Sequence, residues 1–231
     1  MNGEYFVSAI IVSAGNSSRM GGVNKQFLEI DGLPVIVHSI KAFQESDLID
    51  EIVIVTRYED IKTINELVKK HSFSKVNTIV PGGETRQKSV LNGLNSISNK
   101  TDFIAIHDGA RPLVTKKIIK DTLAVATKTG AAATGVNVID TIKCVDDNNV
   151  ILSTPERSYL RAVQTPQIFN KTLYLNAVSN VENSEKFTDD CKLIEAFGNK
   201  VTIVDGDYEN IKITTPNDVA VAEAYFSKRR K

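Results

Sequence analysis

An excess of either charge, a cysteine-rich framework and a long apolar run are all missing from this 231-residue chain. The 28 basic and 28 acidic residues cancel. That removes the broad electrostatic footprint expected of a nucleic-acid or anionic-membrane partner, while leaving room for a local positive pocket. The two cysteines, Cys144 and Cys191, lie far apart and lack metal-ligand spacing. A disulfide scaffold and a thiolate metal site are therefore excluded, and both thiols are expected to be structural in a reducing compartment. No apolar stretch reaches the ~20 residues of a membrane-spanning helix, and the N-terminus has no basic segment followed by a long apolar run. The expectation is a soluble, cytoplasmic protein with neither a nucleic-acid nor a membrane partner.

What the chain does contain is a recurrence of short, β-branched apolar runs. FVSAIIV around Ala9, IDEIVIVT ending at Thr56, KVNTIV ending at Val80, DFIAIH ending at His107, GAAATGV ending at Val136 and KVTIVDG ending at Gly206 read as strands. Helical patterns lie between most of them, and in one, Ile61, Ile64, Leu67 and Val68 recur at the spacing of a single buried face. Strands alternating with amphipathic helices predict an open, mostly parallel α/β sheet flanked by helices, and the length suits one domain over 1–231. The segment from Asp140 to Gln164 breaks the alternation. It reads as a hairpin around the turn at 146–149, inserted between a sheet strand and the next helix. A hairpin is marginal alone, so it either packs on its own domain or clasps a second subunit.

In open parallel sheets, ligands sit beyond the carboxyl ends of the strands. Three polar clusters share that address: SAGNSSRMGGVNKQ after the first strand, PGGETRQKS after the third and HDGARP after the fourth, each with an arginine. The first is neither G-x-x-x-x-G-K-[ST] nor a complete G-x-G-x-x-G, which disfavours the ATPase phosphate loop and the dinucleotide fold. It remains a loop of backbone N–H groups and hydroxyls with Arg19 and Lys25, able to wrap a polyphosphate. Asp108 ends a strand opposite those cations, as either a turn former or an oxygen ligand for a divalent cation. His107 reads as a structural strand-end residue. Further along, Arg157, Arg161 and Thr165 cluster, and the spacing predicts Lys212 and Thr214 on one side of a short strand. Thr188, Asp189 and Asp190 read as helix-cap residues. No Ser-His-Asp or Cys-His arrangement is present, which argues against a covalent intermediate.

Taken together, IIVSAGNSSRMGGVNKQFLEIDGLPVIVHSI, PGGETRQKSVLNGL, IAIHDGARPLV, AVQTPQIF, FTDD and ENIKITTPNDVAVAEAY resemble the 2-C-methyl-D-erythritol 4-phosphate cytidylyltransferase family over nearly the whole chain. The resemblance implies a nucleotide-diphospho-sugar-transferase-like fold and a homodimer clasped by a β-arm at about 137–161. The implied reaction joins CTP, with Mg²⁺ or another divalent cation, to 2-C-methyl-D-erythritol 4-phosphate, giving 4-diphosphocytidyl-2-C-methyl-D-erythritol and pyrophosphate in non-mevalonate isoprenoid biosynthesis. It implies that Arg19 and Lys25 stabilise the α-phosphate, that Ser13, Ala14, Gly15, Gly83, Glu84 and Ser89 hold the cytidine, and that Asp108 takes the metal. It also implies that Arg111, Thr141, Arg157, Thr165 and Lys212 position the acceptor, some from the partner subunit. Ser17 stands where many members have glycine, and Asn24 where many have proline. A second resemblance, to ribitol-5-phosphate cytidylyltransferase, rests on the Lys25-Gln26-Phe27, Thr165-Pro166-Gln167 and NIK-x-TTP runs. HDGARP and RQKSVLNGL favour the methylerythritol enzyme. A non-catalytic nucleotide-binding module is the remaining alternative; it would have no use for Arg19, Lys25, Asp108, Arg157 and Lys212 together.

Overall fold

The computed structural model describes residues 5–15, 23–181 and 187–230. Arg19 and Ser17 lie outside the described residues. In chain order the elements begin with β1 (Val7–Val12), a small hairpin of β2 (Glu29–Ile30) and β3 (Leu33–Pro34), α1 (Val35–Gln44) and β4 (Glu51–Thr56). Next come α2 (Ile61–Lys70), β5 (Val76–Pro81), α3 (Arg86–Leu94), β6 (Phe103–Asp108), α4 (Lys116–Thr129) and β7 (Ala131–Asn137). The arm follows as β8 (Cys144–Val145) and β9 (Ile151–Ser153), then β10 (Arg161–Asn170), α5 (Lys171–Asn180), α6 (Asp190–Ala196), β11 (Thr202–Asp205) and α7 (Pro216–Arg229).

Seven strands form one sheet in the order β11-β7-β10-β6-β1-β4-β5. All neighbours are parallel except β10, which runs antiparallel to both β6 and β7. The central strands are apolar on both faces because both faces are covered. Ala9, Ile11, Ile52, Ile54 and Ala105 pack under Ile36, Ile40 and Phe43 of α1, Ile64 of α2 and Ile119 of α4. Their neighbours Ile10, Val53, Val55, Ile104 and Ile106 pack against Val90 of α3, Tyr174 of α5 and Leu193 of α6. Of the four apolar positions that predicted α2, Ile64 is fully buried, whereas Ile61, Leu67 and Val68 are half-buried at the edge of the layer.

Three expectations need correction. The excursion at Asp140–Gln164 leads not into a helix but into the ten-residue strand β10, in the middle of the sheet. Lys212 and Thr214 are not in a strand; the chain from Gly206 to Thr215 is irregular, and Thr214 is tied to Asp218 by its N–H and its hydroxyl. Cys144 is exposed on the arm and makes no structural contribution of the kind buried Cys191 makes. The predicted turn at 146–149 is present: Asp146 Oδ1 accepts from the N–H groups of Asn148 and Val150, and β8 pairs with β9.

Candidate active site

The carboxyl ends of β1, β5 and β6 open onto two adjoining cavities, and backbone bonds fix the loops that line them. Ser13 stays on the sheet edge because its N–H and its hydroxyl both donate to Val55 O, at 2.7 and 2.8 Å. Gly82 N–H donates to Thr56 O at 2.7 Å, bringing the next loop alongside. A Cβ on Gly82 would collide with Ala14 Cβ, so only glycine permits this approach of the two loops. Thr85 caps α3 by accepting from Lys88 N–H, and Ser89 Oγ accepts from Gly83 N–H at 3.0 Å and donates to Thr85 O at 3.0 Å. The Ser89 proton is thus committed to the shape of the loop.

The larger cavity, about 400 Å³, is lined by Ser13, Ala14, Gly15, Lys25, Gly83, Glu84 and Ser89, together with Arg86, Asp108 and Lys212. Gln26 also lines it, nearly completely buried and with its Oε1 unpartnered among the described residues. Such an orphaned acceptor is costly unless a ligand donor meets it. The smaller cavity, about 160 Å³, is lined by Arg111, Gln164, Thr165, Gln167 and Asp189, and again by Arg86, Asp108 and Lys212. All the residues expected around the nucleotide, other than Arg19, therefore fall on one side of Asp108, and Arg111 and Thr165 fall on the other.

Asp108 is the hub between the cavities. Lys212 Nζ lies 2.8 Å from its Oδ2, Arg111 Nε 3.7 Å from the same oxygen and Arg86 Nε 3.7 Å from Oδ1. Burial alone would raise the Asp108 pKa, but Lys212, Arg86 and Arg111 outweigh it and hold the carboxyl well below the usual carboxylate range. Lys212 reaches the hub because Ile213 N–H donates to Ala110 O, pinning the irregular segment against the HDGARP loop. Arg111 Nη1 donates to Asn210 O in the same segment at 2.8 Å.

Thr141 and Arg157 do not join this cluster. Both are exposed on the arm and line neither cavity, and Arg157 Nη1 donates to Ile139 O at 2.7 Å. His107 is fully buried behind the site, with burial pushing its pKa down to about 4. Asp189 caps α6 as expected, accepting from Lys192 N–H, but Asp190 is not a cap. It is a fully buried carboxylate whose Oδ2 accepts from Arg86 Nη1 at 2.6 Å. Sequence reasoning missed Arg86 and the Asp190 that anchors it, and also Gln26, Gln164 and Gln167 among the cavity-lining residues. The signal for Arg86 was present, since it is the arginine of the second glycine cluster.

Comparison with known proteins settles the family. Residues 7–228 match the family described as IspD, 2-C-methyl-D-erythritol 4-phosphate cytidylyltransferase. The chain belongs to this family. A 2-C-methyl-D-erythritol 4-phosphate cytidylyltransferase of Caldanaerobacter subterraneus subsp. tengcongensis is 49% identical over 225 residues, covering 96% of this chain and 99% of that one. The Alkaliphilus oremlandii protein of the same name is 43% identical, covering 97% of this chain and 96% of its own. Among solved structures, 4-diphosphocytidyl-2C-methyl-D-erythritol synthase from Anaerococcus prevotii superposes with a TM-score of 0.85 at 33% identity, covering 96% of both chains. The expected mostly parallel, helix-flanked fold of nucleotide-diphospho-sugar transferases is the one observed.

Proposed function

We propose that this enzyme transfers the cytidylyl group of CTP to 2-C-methyl-D-erythritol 4-phosphate, giving 4-diphosphocytidyl-2-C-methyl-D-erythritol and pyrophosphate. The observation that carries the reading is the pair of cavities sharing Arg86, Asp108 and Lys212. Two anionic substrates meeting end to end need shared cations at the junction, here Arg86 and Lys212, with Asp108 between them. In our reading CTP occupies the larger cavity, with the base over Gly83, Glu84 and Ser89 and the triphosphate against Ser13, Ala14, Gly15 and Lys25; the α-phosphate role that the resemblance implies for Arg19 falls on a residue outside those described. The acceptor occupies the smaller cavity, its phosphate turned toward Lys212 and Arg111 and its polyol toward Thr165.

An oxygen of the acceptor phosphate attacks the α-phosphorus in line, and pyrophosphate departs on the opposite side. A phosphate monoester has a second pKa of ~6, so the nucleophile is already ionised near neutral pH and needs no general base. The only histidine near the site, His107, is sealed off and neutral, in keeping with that chemistry. What the residues supply is position and positive charge as negative charge gathers at the phosphorus centre.

A divalent cation fits this site only in a particular way. Among the described residues no group of three or more His, Cys, Asp or Glu side chains could cage one, and both Asp108 oxygens face cations. The donor set suits Mg²⁺ held chiefly by triphosphate oxygens with Asp108 as a single protein carboxylate, the usual pattern for nucleotide-bound magnesium. Bound so, it would neutralise the triphosphate and ease departure of pyrophosphate.

We further read the arm as a dimer clasp. Ile142, Val145, Val150, Ile151, Leu152 and Tyr159 are all exposed on it, an apolar surface that a second copy would cover. Thr141 and Arg157 would then serve the partner's acceptor cavity, which accounts for their absence from their own. The deciding experiment is pyrophosphate release with CTP and a panel of acceptors. 2-C-Methyl-D-erythritol 4-phosphate should be used and ribitol 5-phosphate should not; the reverse preference would overturn the assignment.

A further inference from the structure

Arg86 stands where the two cavities meet, and its placement depends on groups that touch neither substrate. It is the first residue of α3, directly after the Thr85 cap. One guanidinium hydrogen bond among the described residues goes backward into the protein, from Nη1 to Asp190 Oδ2 at 2.6 Å. Asp190 is itself held by two further bonds, and one of those partners is held in turn. Its Oδ1 accepts from Tyr174 OH at 2.6 Å, its N–H donates to Gln167 Oε1 at 3.1 Å, and Gln87 Nε2 donates to the Tyr174 oxygen at 3.2 Å. Asp190 and Tyr174 are fully buried, and Gln87 nearly so. A fully buried carboxylate paired with one arginine and one tyrosine hydroxyl is costly to maintain for stability alone. Charge therefore alternates along Asp190, Arg86, Asp108 and Lys212, from the core to the junction.

We propose that Arg86 contacts the reacting phosphates at this junction, and that Asp190 and Tyr174 are positioning residues that hold its guanidinium there. The inference rests on the reaction proposed above. A guanidinium has five N–H donors; with one anchored on Asp190, the others remain for phosphate oxygens on either side. The contact to Asp108, at 3.7 Å, is longer than a hydrogen bond. That gap is the reason an anchor is needed. Without the pull of Asp190, a bidentate pair with Asp108 is the favoured geometry for an arginine beside a carboxylate, and it would consume the donors and occupy the space the phosphates require. Asp190 and Tyr174 thus keep Arg86 from closing onto Asp108 in a hydrogen-bonded pair, while its charge still acts on that carboxylate across 3.7 Å.

Tyr174→Phe tests this with little change of volume. Relaxation of the Arg86 Nε–H by ¹⁵N NMR, without substrates, should report an ordered side chain in the parent protein and a mobile or displaced one in the variant. With saturating CTP and acceptor, kcat should fall about 10-fold, the scale of loss expected for a misplaced contact group, while KM for CTP changes less than about twofold. In an Arg86→Ala background, Tyr174→Phe should have no further effect on kcat, because its action passes through the missing side chain. An Arg86 signal equally ordered and unshifted in Tyr174→Phe would overturn the proposal, as would an equal loss of kcat in both backgrounds. Failure of the parent protein to turn over CTP with either polyol phosphate would instead count against the assigned reaction, and the NMR comparison still decides the positioning claim.

Discussion

The Thr165 hydroxyl donates to His107 Nδ1 at 2.9 Å while accepting from the Asp108 N–H at 3.1 Å. The direction of the first bond follows from the far side of the imidazole. His107 Nε2 faces Arg111 O at 3.3 Å, and a carbonyl can only accept, so in the neutral ring Nε2 carries the proton and Nδ1 is the acceptor. Thr165 has then spent its one proton and can offer a substrate only a lone pair. It can receive a hydroxyl of the acceptor polyol, but it cannot donate to a phosphate oxygen, in keeping with the proposal that the phosphate turns toward Lys212 and Arg111. Thr165→Val should raise KM for the acceptor at least about 10-fold, the usual loss when a buried polar partner goes unmet, with KM for CTP nearly unchanged. Thr165→Ser should retain most of the affinity. Steady-state kinetics on the two variants check this, and an equal defect in both would contradict it.

Stability should fall on acidification through the same histidine. The His107 pKa is pushed from 6.5 down to about 4 by burial, so between those values the unfolded chain binds a proton there that the native chain does not. Stability therefore rises with pH across that window, and lowering the pH from 6.5 to 4 should cost up to about 3 kcal/mol from this group. His38, also shifted downward chiefly by burial, adds a contribution of the same sign. Asp108 acts lower: its carboxyl is held below the ordinary 3.8, so its stabilisation is present above that pH and is lost only beneath it. Urea unfolding at a series of pH values should show the slope, and His107→Gln, which retains a donor and an acceptor, should flatten it in part.

Gly82→Ala should damage nucleotide use more than folding. The added methyl would run into Ala14 Cβ and come within 3.0 Å of Ser89 Oγ, pushing apart the two loops that line the larger cavity. Overpacking of this kind typically costs about 1 to 3 kcal/mol. The protein should therefore still fold, with a lower melting temperature and a KM for CTP raised at least about 10-fold by the misplaced loop. Unchanged KM for CTP would mean that the close approach of Gly82 and Ala14 has no bearing on the nucleotide.

The interior strand β10 was hidden from the sequence for a physical reason. Pro166 interrupts the pattern of a paired strand, and the structure accommodates it at an irregularity between Val163 and Gln167, where the register against β7 shifts. Helix α5 was missed because it shows little of an apolar face, burying Tyr174 and Ala177 among its ten residues. The lining of the larger cavity was legible because its residues follow directly from strand ends. Asp190 was not: its partner Arg86 is 104 residues away in sequence, and a Thr-Asp-Asp run before a helix has an ordinary meaning as a cap.

Lys25→Ala should depress turnover far more than stability. Lys25 opens a single helical turn at Lys25–Phe27, capped by Asn24, and lines the larger cavity. A cation facing developing negative charge contributes about 2 to 4 kcal/mol to the barrier, by analogy with an oxyanion-hole donor. Half-buried on a short turn, it contributes little to the core. Turnover within a few-fold of the parent enzyme would remove Lys25 from the reaction.

Complementation between two inactive variants gives the sharpest check on the arm. Arg157 lines neither cavity of its own chain, whereas Lys25 lines the larger one. If the arm clasps a second copy, each complete site joins Lys25 of one chain to Arg157 of the other. A two-fold dimer of Lys25→Ala with Arg157→Ala then carries one site with both defects and one with neither. Random reassortment makes half the dimers mixed, so the mixture should recover about a quarter of parental activity although each variant alone is nearly inactive. Arg157→Lys should remain impaired in spite of its charge, because a planar guanidinium fixes the orientation of a phosphate in a way an ammonium cannot. Sedimentation velocity on Leu152→Asp should show the dimer weakened by a charge placed in the apolar patch. If the mixed variants stayed inactive after confirmed exchange of subunits, Arg157 would serve its own chain or no site at all, and the clasp would be a matter of assembly alone.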